Sequence, residues 1–158
     1  MVSRWHRTLL LIGSIGPLGH LPASGTVTVA LIGLPAFAWM GGLPSLAYVV
    51  VTFVFTGAAV WLHAVGDSVL QTKDSRQLVW DELAGFLFAV AFLPFTWKLA
   101  GLALLIERGL DITKIPPARW IEEHWPGGWG VVGDDVVAGL YTCGLLHMAL
   151  KFWPSLGQ

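Results

Sequence analysis

The chain has 158 residues, of which 55% are hydrophobic and only 12% are charged, about half the charged share of an average soluble domain. Its net charge of −1 and the lack of a basic stripe exclude strong attraction to nucleic acid, so we expect no nucleic-acid partner. A single cysteine, Cys143, excludes an internal disulfide and a multi-cysteine zinc site. The length suits one domain over residues 1–158.

Charged residues are confined to short parts of the chain. None occurs from Thr8 to Gly66, whereas 6 of the 19 fall within Asp67–Glu82 and 9 within Glu107–Asp135. A soluble helical protein places charge along every exposed helix face. The alternative is a small soluble helical protein that buries its apolar residues in a core or an oligomer. We therefore expect an all-α, multi-helix bundle embedded in a membrane, with short, broken or re-entrant helices and two acid-rich segments on one face.

Four apolar segments follow one another and differ in length. Leu46–Val65 is long enough for a membrane span of about 20 residues, whereas Val27–Met40 is short and contains Pro35. Leu83–Ile106 and Val136–Leu150 are also apolar, and each begins directly after an acidic pair. Most of the nine tryptophans lie near segment ends, where the interfacial aromatic belt places them.

The segment Leu83–Ile106 decides whether the two acid-rich windows can share a site. A single crossing would leave the windows on opposite sides of the membrane. Because Leu93-Pro94-Phe95 divides the segment, we predict a re-entrant or shallow helical hairpin, or a strongly bent helix, that returns to the same face. The basic residues of both windows would then face the cytoplasm, as the positive-inside bias prefers.

Two acidic pairs are the first candidates for chemistry. Asp81 with Glu82, and Asp134 with Asp135, each precede an Ala-Gly step one helical turn later. Small residues at that position let two helices pack closely and bring the acids together. Helix capping is the simpler interpretation, since an acid in the first turn complements the helix dipole. We favour cation binding, and carboxylate ligands suit Mg²⁺ better than zinc.

A mixed-charge stretch supplies candidate anion ligands. Arg108, Asp111 and Lys114 recur at a spacing of three residues, on one helical face. They are either a surface ion-pair ladder or a functional set, in which Arg108 and Lys114 hold phosphate oxygens and Asp111 joins the metal site.

Two glycine-rich segments and one histidine pair have weaker signals. Gly127–Gly133 is expected to be a loop, either a flexible connector or one whose N–H groups turn toward an anion. Gly13–Thr28 gives a weaker indication of the same kind. His63 and Asp67 are spaced as an i, i+4 pair, which we interpret as structural.

Several motifs occur in a characteristic order along the chain. They are Ala23-Ser24-Gly25-Thr26, Lys73-Asp74, Val79-Trp80-Asp81-Glu82 with Gly85, Arg108-x-x-Asp111-x-x-Lys114 with Pro117, and the run from Gly127 through Asp134 and Asp135 to Gly139. Together they resemble the phosphatidylglycerophosphatase A family of bacterial membrane phosphatases. The last motif is the most specific, and the others support it mainly by their order.

The resemblance implies Mg²⁺-dependent removal of the terminal phosphate from phosphatidylglycerophosphate, giving phosphatidylglycerol. It also implies a mostly helical protein in the bacterial inner membrane, with phospholipid as its partner. We assign catalysis to Asp81, Glu82, Asp111, Asp134 and Asp135, and metal binding to all of these except Asp111. Phosphate binding is assigned to Thr26, Arg108 and Lys114. Direct attack by water is the preferred route, with a phospho-Asp intermediate on Asp111 or Asp135 as the alternative.

The chain departs from the family pattern at a few positions. Ser24 stands where the family usually has Pro, Glu107 replaces an aromatic residue, and Ile115 replaces the Pro after Lys114. None of these changes removes a candidate carboxylate, but Glu107 and Ile115 bear on the phosphate-side geometry and on substrate choice. Two functions of other classes are the alternatives: a small membrane cation transporter and a non-catalytic lipid-binding membrane protein.

Overall fold

The computed structural model describes residues 4–158, which form helices with no β-strand among them. The helices are α1 Arg4–Gly13, α2 Ser24–Thr28, α3 Leu34–Met40, α4 Ser45–Leu70, α5 Trp80–Ala89, α6 Trp97–Thr113, α7 Ala118–His124 and α8 Gly128–Phe152. A π-helical stretch, Val29–Gly33, joins α2 to α3, and short 3₁₀ turns occupy Leu18–His20 and Pro154–Gly157. The predicted all-α class is confirmed.

The apolar segment after the first acidic pair is broken in the predicted place. Helix α5 ends at Ala89 and α6 begins only at Trp97, so Pro94 lies in the connection between them. Thr96 caps α6, because its side-chain oxygen accepts a hydrogen bond from Leu99 N at 3.1 Å. The Thr96 hydroxyl also donates to the Leu156 carbonyl at 2.7 Å and ties the connection to the chain's last turn. The two helices therefore form a hairpin.

Helix α5 is the central element, and it packs most extensively against α8. The crossing depends on glycine: a Cβ on Gly139 would lie 2.1 Å from the Gly85 carbonyl oxygen, and one on Gly85 would lie 2.7 Å from the Asp135 carbonyl oxygen. The predicted role of these small residues is confirmed, because a side chain at either position would push the helix backbones apart.

The segment Gly127–Gly133 is helical from Gly128 onward, so its prediction as a loop is wrong. The glycines serve close packing instead of turning N–H groups toward an anion. A Cβ on Gly128 would lie 2.1 Å from the Val60 carbonyl oxygen of α4, and one on Gly133 would lie 2.7 Å from the Ile121 side chain. A glycine-rich sequence thus forms a helix here because tertiary contacts outweigh its low helix propensity.

Within residues 4–158, α4 is the one helix that is long and apolar enough to cross a membrane, by length and composition. The predicted span Leu46–Val65 lies inside it. The 24–40 stretch is a shorter apolar helix, and Val136–Leu150 lies inside the longer α8. An arrangement with several membrane-crossing helices therefore remains a prediction.

The chain direction brings one end of each main helix to the same end of the bundle. This end contains the carboxyl-terminal part of α4, the start of α5, the end of α6 and the first turns of α8. Both acid-rich windows lie there, while the α5–α6 connection lies at the opposite end, beside the Pro154–Gly157 turn.

Candidate active site

A cavity of about 490 Å³ opens at the end of the bundle where the acids gather. Its walls come from residues 19–26, the loop before α5, and helices α5, α6 and α8. All eight residues predicted from the sequence line it: Thr26, Asp81, Glu82, Arg108, Asp111, Lys114, Asp134 and Asp135. The hairpin explains this convergence, because it returns α6 to the end of the bundle at which α5 begins.

Arg108 links three carboxylates at the base of the cavity. Its Nε and Nη2 donate to the two carboxylate oxygens of Glu107, each at 2.6 Å, and Nη2 also donates to Asp135 Oδ1 at 2.9 Å. Asp111 Oδ2 lies 3.3 Å from Nη1. Glu107 is fully buried, so its negative charge needs this bidentate partner. These contacts fix the guanidinium and leave few of its five N–H groups for a ligand.

Lys114 links α8 to α7. Helix α6 ends at Thr113, and Lys114 follows in a left-handed conformation with φ of 46°. Its ammonium lies 2.7 Å from Asp134 Oδ2 and 2.7 Å from Glu122 Oε1. One of its three N–H donors is left for a phosphate oxygen.

Asp81 has a partner that the sequence analysis did not predict. His63 Nε2 lies 3.2 Å from Asp81 Oδ1, and His63 Nδ1 lies 3.8 Å from Asp67 Oδ2. The predicted pairing of His63 with Asp67 is therefore only part of a chain of three side chains that leads to the cavity. Burial alone would raise the pKa of Asp81, but the attraction of His63 and the interactions with neighbouring Glu82 together outweigh it and lower that pKa to about 2.

Glu82 lies under the first turn of α2. A Cβ on Gly25 would lie 2.1 Å from Glu82 Oε1, so the Glu82 side chain packs directly against the backbone of Gly25. Glu82 Oε2 is buried and accepts no hydrogen bond within the described residues, whereas the buried Asp81 Oδ1 has the ion-pair contact with His63 Nε2. Neither acid caps α5. A buried carboxylate oxygen such as Glu82 Oε2 is costly unless a donor or a cation approaches it.

Burial in this acidic environment raises the pKa of the remaining carboxyl groups. It raises the pKa of Asp134 to about 7, although Lys114 opposes the shift. It raises the pKa of Asp135 well above its usual range, against the attraction of Arg108, and the pKa of Glu82 likewise, with a further contribution from Asp81. These groups therefore gain stability either from a proton or from a bound cation.

The donor types in the cavity suit a hard cation, but the side chains do not yet converge on one. No three Asp, Glu, His or Cys side chains in residues 4–158 lie together as a metal-binding group. Asp134 and Asp135 point toward Lys114 and Arg108 instead. The six carboxylates that line the cavity, among them Glu82 with a buried oxygen that accepts no hydrogen bond, nevertheless provide the type of oxygen ligand that Mg²⁺ prefers.

Several residues of the site were missed by the sequence analysis. Arg76 and Ser24 line the cavity, and Glu122 and His63 bind its charged groups. Glu107 was noted only as a departure from a motif. Arg76 was detectable as a cation in the first polar window, whereas the contacts of His63 depend on the packing of α4 against α5.

The fold and the cavity define an all-helical protein with a charged cavity that is lined by six carboxylates and three cations. Comparisons with known proteins agree. The model of the family described as phosphatidylglycerophosphatase A matches residues 11–150. Phosphatidylglycerophosphatase A of Escherichia coli (strain K12) is 29% identical over 155 residues, covering 98% of this chain and 88% of the relative. The Haemophilus influenzae protein of the same name is 29% identical over 151 residues, covering 92% and 88%.

A relative with another name is similarly close. The putative phosphatidylinositol-3-phosphatase of Bacteroides thetaiotaomicron is 33% identical over 139 residues, covering 85% of this chain and 82% of its own. No solved structure matches the chain. The chain belongs to the phosphatidylglycerophosphatase A family and is an enzyme of the phosphatase class.

Proposed function

We propose that this protein hydrolyses the terminal phosphomonoester of phosphatidylglycerophosphate to give phosphatidylglycerol, with Mg²⁺ as its cofactor. The observation that carries the proposal is the joint placement of all eight predicted residues around one cavity, in a chain of this family. The cation transporter and the non-catalytic lipid-binding protein lose support, because the acids gather in one cavity at one end of the bundle.

Charge is the strongest physical reason for a metal cofactor. The cavity is lined by Asp74, the five predicted acids and three cations, so acidic side chains outnumber basic ones two to one. A phosphate dianion would be repelled from such a cavity unless positive charge entered with it. We propose that Asp81, Glu82, Asp134 and Asp135 hold Mg²⁺. When bound, such an ion neutralises phosphate oxygens and lowers the pKa of a coordinated water.

The cations of the chain bind and orient the phosphate in this proposal. Lys114 has a donor left over beyond its two carboxylate partners, and Arg108 has a second N–H on Nη1 beside the one that faces Asp111. Thr26 lies exposed on the opposite wall, where its hydroxyl donates to a third oxygen. Three donors on different elements fix the phosphorus for in-line attack and stabilise the charge that develops on its oxygens.

Water is the proposed nucleophile, and the glycerol oxygen is the leaving group. Asp135 is held by Arg108 and Asp111 lies against the same guanidinium, so both carboxylates have reduced freedom to attack phosphorus. These contacts favour direct attack by water over a phospho-Asp intermediate on either residue.

We also propose that the bundle is embedded in the bacterial inner membrane with the cavity at its cytoplasmic surface. Large apolar side chains are exposed along α4, α6 and α8, among them Leu46, Phe53, Trp97, Leu105, Met148 and Phe152. Such continuous apolar faces are rare on a soluble monomer. They lie along the bundle, whereas the acids are at one end, which suits a site that meets lipid headgroups.

The test is phosphate release from phosphatidylglycerophosphate in mixed micelles, with EDTA or with added Mg²⁺. Release that depends on Mg²⁺ supports the proposal. No release from folded protein, or release unaffected by EDTA, contradicts the activity or the cofactor respectively. Phosphatidylinositol 3-phosphate belongs in the same assay, because the Bacteroides relative is named for that lipid.

A further inference from the structure

The three cations that line the cavity differ in how far their charges are already compensated. Arg108 contacts three carboxylates, and Lys114 contacts two. Arg76 forms no ion pair with the Asp and Glu side chains described in residues 4–158. It therefore has a full set of guanidinium donors available for an anion from outside the chain.

A hydrogen bond from Ser24 holds the backbone of Arg76 in place. The Ser24 hydroxyl donates to the Arg76 carbonyl oxygen at 2.9 Å, and Ser24 is buried. The loop before α5 is thereby attached to the start of α2, on the wall of the cavity.

Arg76 is an exposed residue of the cavity lining, whereas Asp81, Asp134 and Asp135 are buried. Leu21 and Ile112 line the same cavity and are 43% and 78% exposed. Asp81, Asp134 and Asp135 are each only 4% exposed. An uncompensated guanidinium beside exposed apolar groups suits the part of a lipid where an anionic linkage meets the acyl region.

We propose that Arg76 binds the phosphodiester of the lipid substrate and so selects lipids that carry a phosphodiester in addition to the phosphomonoester. This inference rests on the proposed function. The deep carboxylates and their cations act on the phosphomonoester, while Arg76 holds the phosphate one glycerol unit away. A guanidinium fork suits the two unbridged oxygens of a phosphodiester.

Kinetics with two lipids tests the assignment. In micelles of neutral detergent, Arg76→Gln should raise KM for phosphatidylglycerophosphate about 10- to 100-fold, the loss expected for a charge-assisted hydrogen bond, and leave kcat within about twofold. Hydrolysis of phosphatidic acid, which has no phosphodiester, should be unchanged. Arg76→Lys should recover part of the loss. Arg119→Gln removes an exposed arginine outside the cavity and is the matched control. An equal loss on both lipids, or no loss, would overturn the proposal.

A binding measurement separates this inference from the proposed reaction. Phosphatidylglycerol carries the phosphodiester without the terminal phosphate, so its binding needs no turnover. In neutral micelles containing Mg²⁺, Arg76→Gln should bind it at least about tenfold more weakly than the wild type and Arg119→Gln do. Equal binding by all three proteins, or no binding by the wild type, contradicts the role of Arg76. Failure of phosphate release alone would instead contradict the proposed reaction.

Discussion

The deep cations of the cavity serve two purposes, because the groups that would hold a phosphate also hold the protein's own acids. The Nε and Nη2 groups of Arg108 donate to Glu107, and the ammonium of Lys114 contacts both Asp134 and Glu122. A phosphate that enters must therefore compete with carboxylates for N–H donors. That competition is relieved if the carboxylates turn to a metal ion, so metal and substrate binding should support each other.

Asp81→Asn is the sharpest test of a single carboxylate. The substitution keeps the size of the side chain but removes the charge, and the loss of a metal ligand should cost several kcal/mol of transition-state stabilisation. We expect phosphate release below about a tenth of the wild-type rate, with unchanged detergent extraction and circular dichroism. Glu123→Gln, on an exposed helix face, is the control. A variant that retains more than that tenth would show that Asp81 is not a ligand.

The affinity for Mg²⁺ should depend on pH. Because the pKa of Asp134 is raised to about 7, the metal-free carboxyl carries a proton below that pH, and a cation must displace it. Affinity should therefore rise from about pH 6, by up to tenfold per pH unit for each proton released, and keep rising above pH 7, because Glu82 and Asp135 also have raised pKa values. Asp81, with its pKa lowered to about 2, stays ionised throughout and adds no dependence. Calorimetric titration with MgCl₂ in two buffers of different ionisation enthalpy gives the number of protons released; a value of zero would contradict the prediction.

Between elements, the contact of α5 with α8 determines whether a site exists. The backbones approach closely at Gly85 and Gly139, which sets Asp81 and Glu82 opposite Asp135. Gly85 and Gly139, each one helical turn after an acidic pair, have no side chain and so keep the two acidic pairs close together.

Gly139→Ala should therefore damage both stability and activity. Its Cβ would lie 2.1 Å from the Gly85 carbonyl oxygen, and backbone atoms cannot rotate out of the way. We expect a loss of about 1–3 kcal/mol in unfolding free energy, typical of overpacking, and a fall in phosphate release. Gly144→Ala lies on the same helix with open space around its Cβ and should be neutral or slightly stabilising. Denaturant titration in detergent compares the two, and equal stability would contradict the packing role.

Local sequence signals predicted some of these elements well and failed for others, for physical reasons. Pro94 predicted the break between α5 and α6, since proline removes a backbone donor and restricts the residue before it. The Ala-Gly steps predicted the close crossing. The glycines of 127–133 led to the wrong prediction of a loop. Their low helix propensity is a local property, whereas their contacts with Val60 and Ile121, which favour the helix, are tertiary. The contact of His63 with Asp81 could not be predicted either, because it depends on how α4 packs against α5.

At the scale of the whole molecule, the hairpin places the two acid-rich segments at the same end of the bundle. The loop before α5 and the segment around α7 both lie at the cavity end of the bundle, and Lys73 Nζ donates to the Glu122 carbonyl between them. A chain that crossed a membrane once between these segments would separate them.

Labelling from one side of the membrane tests this topology. With Cys143 replaced by alanine, single cysteines at Gln71 and Glu123 should both react with an impermeant maleimide in inside-out vesicles and not in intact spheroplasts, because both positions should be cytoplasmic. Both side chains are exposed. Reaction of the two positions from opposite sides would rule out the hairpin topology.

The exposed Leu21 and Ile112 on the cavity wall also affect how the enzyme should meet its substrate. In the proposed membrane setting, a lipid headgroup would pass these side chains while its acyl chains stay in the apolar phase. The search is then two-dimensional, and the rate should follow the mole fraction of substrate in the surface more than its bulk concentration. Diluting the substrate with neutral detergent, at constant bulk concentration of substrate, should therefore slow phosphate release.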